Sequence, residues 1–295
     1  MFKKIRSIKN EFLGLNKRNV QYIYPSNKRE DYKLADDKVL AKRIMGTSGI
    51  ACAKTYAVIE NIGEIPAVWN EMKQYTSLAI KPANGSGGGG ILILNQSDNG
   101  NWMKGDDVYQ DEQIHLYLAN IIMGVYSLGS NDRVLIEECI VPHSFFNTIY
   151  PEGVPDFRVI VYKHHIALGM LRVPTDASDG KANLHQGGLG IGVDLSSGKM
   201  TQAFDGRNYY SIHPDTQKQI EGVALPYWKE IIQLSLKTAA AFPLKYLGVD
   251  IVIDENKGPL VMEVNVRPGL GIQMVNRKGL SPILEAIDNN LKQAS

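Results

Sequence analysis

Residues 248–270, GVDIVIDENKGPLVMEVNVRPGL, constrain the fold more than any other stretch, because two segments that alternate with a strand's period flank a turn ending in glycine. In the first segment Val249, Ile251 and Ile253 alternate with Asp250 and Asp254; in the second Leu260, Met262, Val264 and Val266 alternate with Glu263, Asn265 and Arg267. The pattern predicts two half-buried strands joined through Glu255-Asn256-Lys257-Gly258. In that register Val249 faces Val264, Ile251 faces Met262, Ile253 faces Leu260, and Asp250 faces Glu263.

Opposed carboxylates destabilise a sheet unless something compensates them. The simplest compensation is a divalent cation with Asp250, Glu263 and Asn265 as its oxygen ligands. Magnesium, with manganese as a substitute, suits this set, whereas zinc would call for His or Cys and the hairpin has neither. Alone, the same alternation also suits a solvated polar face.

Upstream, SLAIKPANGSGGGGILIL at 77–94 runs from an apolar strand carrying Lys81 through a glycine-rich loop into a second apolar strand. A dinucleotide fingerprint or a Walker loop would lead into a helix instead, and neither GxxxxGK[ST] nor a helix-opening GxGxxG is present. Strand, glycine loop, strand reads as a hairpin lid whose backbone N–H groups can close over phosphate oxygens, with Lys81 as a fixed positive charge. By itself a glycine run is also a common surface turn.

Taken together and in order, these segments resemble the ATP-grasp carboxylate–amine ligases. EECI at 137–140, DFRVIVY at 156–162, KANLHQGG at 181–188 and EVNVRPGL at 263–270 look most like the ribosomal-protein glutamate ligases and the α-L-glutamate ligase-like, sugar-transfer-associated proteins. The resemblance covers about residues 36–285. It implies an α+β ATP-grasp fold of two mixed lobes with antiparallel sheets: an N-terminal helical arm (1–35), a first lobe with the glycine-rich lid (36–140), and a second lobe with the magnesium and acylphosphate site (141–295). The cleft between lobes would hold ATP.

The resemblance further implies roles. Lys38 and Lys81 would contact ATP phosphates, with Gly85, Ser86, Gly87, Gly88 and Gly89 as the closing loop. Glu138, Cys139 and Ile140 would line the adenine pocket, with Glu137 or Glu138 reaching the ribose. Arg158 and Arg267 would assist transfer, since a guanidinium keeps its charge and offers forked donors to phosphate. Lys181 and Asn183 would stand beside the transferred phosphate, although the ribosomal-protein ligases carry arginines where this chain has Lys181 and Gln186, which leaves the acceptor open. Cys139 reads as a small core residue, and His185 as a histidine shaping its loop, with general base as the alternative.

The activity implied is ATP-dependent amide or peptide bond formation through an acylphosphate, with glutamate or another amino acid joined to a peptide, protein or glycan carboxylate. A phosphotransferase and a nucleotide-binding module without turnover are the alternatives. Two segments of negative evidence agree with acylphosphate chemistry: there is no GxSxG elbow and no activated-cysteine signature.

The formal charge of +1 argues against a general nucleic-acid binder, and two cysteines in 295 residues indicate no disulfide framework and a reducing, cytoplasmic setting. No stretch approaches a membrane span. The first eighteen residues form a basic amphipathic pattern, with Phe2, Ile5, Ile8, Phe12 and Leu15 on one helical face. Docking on the protein's own domain is the expected role, and membrane contact the lesser one. Helices are predicted near Asp37–Gly46, Ile65–Gln74, Asp111–Ser127 and Pro226–Phe242. Because Lys38 comes early, part of the usual pocket wall is expected to come from a large substrate or, failing that, from a homodimer partner.

Overall fold

The computed structural model describes residues 11–85, 89–178 and 180–293. The chain divides into two units, one of Asp36–Arg43 and Cys52–Ile140, the other of Met1–Ala35, Ile44–Ala51 and Val141–Ser295. We call them the lysine unit and the arginine unit.

The lysine unit is built on a sheet of six antiparallel strands: β1 (Thr55–Ile59), β2 (Ser77–Pro82), β3 (Leu92–Gln96), β4 (Trp102–Lys104), β5 (Asp107–Tyr109) and β6 (Val134–Glu137), in the order β1-β6-β2-β3-β4-β5. The helix α1 (Lys38–Thr47) starts here, with the Asp37 carboxylate accepting from the N–H groups of Val39 and Leu40 at 3.0 and 3.1 Å. That cap replaces partners that a first helical turn lacks. Helices α2 (Ile65–Met72) and α3 (Asp111–Ile122) send Trp69, Ile114, Leu118 and Ile121 into a core shared with Leu78, Ile80, Leu92, Leu94, Trp102 and Ile136. A smaller cluster of Val39, Ala83 and Leu135, with Val58 against it, seats the first turn of α1. Helix α3 ends before the predicted Ser127 because the chain reverses at Gly124 (φ 80°), where a side chain would collide with the Ser130 carbonyl.

The arginine unit holds a seven-stranded sheet: β7 (Asp156–Tyr162), β8 (His165–Val173), β9 (Leu189–Val193), β10 (Met200–Phe204), β11 (Tyr209–Tyr210), β12 (Tyr246–Asp254) and β13 (Gly258–Asn265), ordered β11-β10-β9-β8-β7-β12-β13. Helix α4 (Trp228–Ala241) packs across β7, β8, β12 and β13, while α5 (Gly271–Asn276) lies on β8, β9 and β10 and α6 (Leu280–Gln293) on β8. Short helical turns over 15–26 and 29–35 belong to this unit, pinned by Asn27, whose side chain accepts from the Lys245 and Tyr246 N–H groups and donates to the Tyr246 carbonyl. The masses of helix and antiparallel sheet make the chain α+β, as the sequence predicts.

The 248–270 hairpin forms with Asp250 opposite Glu263 and Val249 opposite Val264. Beyond that row the register differs from the expectation: Ile251 pairs with Val261 and Ile253 with Pro259, because Met262 is an extra residue on β13. A bulge beside a charged row re-aims side chains locally. The strands also differ from the half-buried reading, since β12 is buried along its whole length as an interior strand between β7 and β13 with α4 packed on it.

Candidate functional site

In the lysine unit the cations converge on one carboxylate. Lys81 on β2 places its Nζ 2.9 Å from Glu137 Oε2, and Lys42 on α1 places its Nζ 2.7 Å from Glu137 Oε1 and donates to the Ala53 carbonyl at 3.0 Å. Glu137 ends β6, beside β2, and its side chain is 1% exposed. Burial pushes this carboxyl up, but Lys81 and then Lys42 outweigh it and hold Glu137 below the usual carboxylate range. Two ammonium groups thus share one counter-ion, which leaves positive charge over.

Lys38, one helical turn before Lys42 on α1, donates to the Gly85 carbonyl at 2.6 Å. The base of the glycine loop is fixed by Asp132, whose carboxylate accepts from the Asn84 N–H and amide and from Ser127 Oγ. Gly85 admits no side chain, because a Cβ there would meet the Pro82 ring. Gly89 continues the loop, while Ser86, Gly87 and Gly88 lie outside the described residues.

The adenine-pocket residues follow β6. Glu137, expected at the ribose as an alternative to Glu138, is instead the lysines' counter-ion. Glu138 is half-buried and accepts from the Lys54 N–H at 2.7 Å while its own N–H donates to the Lys54 carbonyl. Cys139 and Ile140 are half-buried, and burial pushes the Cys139 thiol up, against a Ser77 hydrogen bond, which suits a packing residue and not a thiolate nucleophile.

In the arginine unit a polar row crosses the sheet, because Arg158 on β7 pairs in register with Asp250 on β12, which pairs with Glu263 on β13. Arg158 grips Asp250 with Nε and Nη2 at 2.8 and 2.5 Å. Arg172 on β8 donates to Asp156 with Nε and Nη2 at 2.5 and 2.7 Å and from Nη2 to Asp250 at 2.9 Å. Burial raises Asp156 to about 6 against the pull of Arg172. Burial also works on Asp250, yet Arg158 and then Arg172 hold it below the usual range.

Glu263 and Asn265 are hard oxygen donors suited to magnesium. Asp250 fits less simply. It already accepts from both guanidinium groups and from Asn265 Nδ2 at 3.2 Å, so here it is a counter-ion, with three donors on Oδ2 and Arg158 Nε on Oδ1. Among the described residues no three or more His, Cys, Asp or Glu side chains are grouped to hold a metal.

The segment 181–188 folds on itself. The Asn183 side chain caps a short turn by accepting from the His185 N–H at 3.1 Å, and its carbonyl accepts from Gln186 and Gly188. Lys181 is exposed. Leu184 brings the loop against the turn after β13, where a Cβ on Gly271 would stand 3.2 Å from it. Arg158 reaches the same turn, with Nη1 3.9 Å from the place a Cβ would take on Gly269. Arg267 on this turn is exposed and lies over the Tyr32 ring, 5.0 Å from its centroid.

Lys42, Asp156 and Arg172 were not singled out by the sequence. Lys42 sits four residues after Lys38, and Arg172 faces Asp156 across the β7–β8 hairpin, so helical spacing and hairpin register are the signals that point to them.

The family model for sugar-transfer associated ATP-grasp proteins matches residues 17–289. No curated protein matches the sequence. Among solved structures, the biotin carboxylase–β-γ-ATP complex from Campylobacter jejuni aligns at 12% identity over 92% of this chain and 49% of its own, with a TM-score of 0.56. D-alanyl-alanine synthetase A from Vibrio cholerae aligns at 11% over 87% and 64%, with a TM-score of 0.52. The ATP-grasp ligase PsnB, complexed with minimal precursor, Mg and ADP, aligns at 14% over 90% and 61%, with a TM-score of 0.50. The likeness is one of fold, and the chain spans about three-fifths of the length of the first structures it matches.

Proposed function

The chain belongs to the sugar-transfer associated ATP-grasp family, and from that premise we propose that it is an ATP-dependent carboxylate–amine ligase. The observation that carries this reading is the row of Arg158, Asp250 and Glu263 across three neighbouring strands, with Asn265 at its edge. Such a row suits a site where phosphoryl charge moves and no enzyme nucleophile is needed.

In this reading Lys81 and Lys42 bind ATP phosphates with the charge that Glu137 leaves uncompensated, and Lys38, through Gly85, sets the base of the closing loop. Adenine rests on backbone groups of Glu138, Cys139 and Ile140. Glu263 and Asn265, joined by Asp250, would hold magnesium, which would neutralise phosphate charge and orient the groups. A substrate carboxylate oxygen attacks the γ-phosphorus and ADP departs, giving an acylphosphate. The amine then attacks the acyl carbon, forming the C–N bond as phosphate leaves with the electron pair of the broken C–O bond. Arg158 and Arg267 offset charge on the transferring group, and Lys181 and Asn183 border it. The carboxylate belongs to a peptide, protein tail or glycan, and the amine to glutamate or another amino acid.

The test is a screen of carboxylates and amines for ADP release that needs both, using a carboxylate labelled with heavy oxygen. One labelled oxygen in the released phosphate is expected. AMP and pyrophosphate would mark an adenylating enzyme, and ADP release indifferent to the amine a phosphotransferase.

A further inference from the structure

The arginine unit contains two kinds of arginine. Arg158 and Arg172 are neutralised by Asp250 and Asp156. Among the described residues Arg18 and Arg267 have no carboxylate at ion-pairing distance.

Arg18 is only 5% exposed, and its guanidinium is spent on neutral oxygens: Nη1 donates to the Pro268 carbonyl at 2.8 Å, while Nε and Nη2 donate to Asn19 Oδ1 at 3.0 and 2.9 Å. A buried charge with only neutral acceptors is costly, and it persists where something else compensates it. Pro268 follows Arg267 directly, so Arg18 anchors the turn that carries the Arg267 guanidinium. Burial first, and the neighbouring Arg267 in the same direction, favour loss of the Arg18 charge, although Tyr246 opposes this. From its other side Arg267 is supported by Tyr32, a buried residue whose ring takes the guanidinium face. The segment bearing Arg18 and Tyr32 is itself fixed: the Gln273 side chain accepts from the Leu13 N–H at 2.8 Å and donates to the Leu13 carbonyl at 3.1 Å, and Asn27 clamps the start of β12.

We propose that residues 11–35 are a working part of this half-site, with Tyr32 and Arg18 as positioning residues that hold Arg267 as a receptor for an oxyanion. Arg267 keeps its outward donors for the ligand, while Arg18 adds positive potential behind it without touching the ligand. The oxyanion is either the substrate carboxylate or the phosphoryl group being passed to it. This inference rests on the ligase reading for the ligand's identity, but its geometry belongs to the arginine unit alone.

The test labels the full-length protein with phenylglyoxal, which modifies accessible arginines, and follows each arginine by peptide mass spectrometry. Inorganic phosphate and acetate are added in separate arms. Arg277, exposed and laid over the Tyr209 ring at 3.7 Å, is the internal control for an arginine on a tyrosine. Labelling of Arg267 should slow at least threefold with one of the anions while Arg277 is unchanged; phosphate alone marks a phosphoryl receptor, and acetate alone a carboxylate receptor. Tyr32→Phe should keep the protection, whereas Tyr32→Leu and Arg18→Met should remove it with magnesium–ADP affinity unchanged. Protection by neither anion, or full protection in folded Tyr32→Leu, overturns the proposal even if Arg18→Met does not fold. Failure of wild-type protein to bind magnesium–ADP would instead count against the ligase reading, leaving the anion result to stand or fall by itself.

Discussion

In the proposed reading the lysine unit and the arginine unit both hold cations for an anionic ligand, but in opposite ways. In the first, Lys42 and Lys81 share the single buried Glu137, so positive charge is left for an incoming phosphate. In the second, Arg158 and Arg172 are matched by Asp250 and Asp156, so the charge of the row is balanced. Flexible ammonium groups suit the first arrangement and planar, forked guanidiniums the second. In the proposed reading the lysine unit offers charge that is not matched, and the arginine unit charge that is already paired.

The largest effect should come from breaking the ladder at its buried joint. Arg172→Met strands Asp156 and leaves Asp250 to Arg158 alone, and should cost ~3–5 kcal/mol of unfolding free energy, read by urea denaturation. Arg158→Met, whose side chain is the more exposed partner of Asp250, should cost clearly less; equal losses would erase the distinction between a structural and an exchangeable arginine. On the lysine side, Lys81→Met should weaken ADP binding by ~10–100-fold, the worth of a charge-assisted contact. Lys42→Met should weaken it about threefold to tenfold by removing the charge that Glu137 otherwise shares. If Lys42→Met left ADP affinity unchanged in titration calorimetry, the shared counter-ion would be ordinary packing.

A smaller effect concerns the loop that carries Lys181 and Asn183. His213 is fully buried, its Nε2 donating to the Pro174 carbonyl at 3.3 Å while Nδ1 accepts from the Asp215 and Thr216 N–H groups. Burial lowers its pKa below the ordinary value, against Pro174, Asp215 and Asp176. The unfolded chain therefore takes up the proton first, so this contribution to stability is full above about pH 6.5 and is lost as pH falls towards and through the folded value. Unfolding midpoints measured from pH 7.5 to 5 should drop in the wild type and drop less in His213→Gln.

The hairpin row Asp250–Glu263 was legible because turn and alternation together fix register near a row of polar residues. The bulge at Met262 was not, since an extra residue in one strand leaves no mark on alternation. Nor was the double-sided burial of β12, which depends on β7 and α4 packing from elsewhere in the chain. The start of α1 near Asp37 and the strand that carries Lys81 into the loop are local signals, whereas the pairing of Lys42 with Glu137 depends on a contact across 95 residues of chain, between α1 and β6. Arg18 and Tyr32 fall in the helical arm expected over 1–35, and nothing in their neighbourhood announces the turn at Arg267 that they contact.

The most direct test of the account is the magnesium dependence of ADP affinity, measured by titration calorimetry in the wild type and in Glu263→Gln. Magnesium should strengthen ADP binding to the wild type at least tenfold and hardly change it in the variant, while affinity without metal is the same in both. An equal gain from magnesium in the two proteins would contradict it.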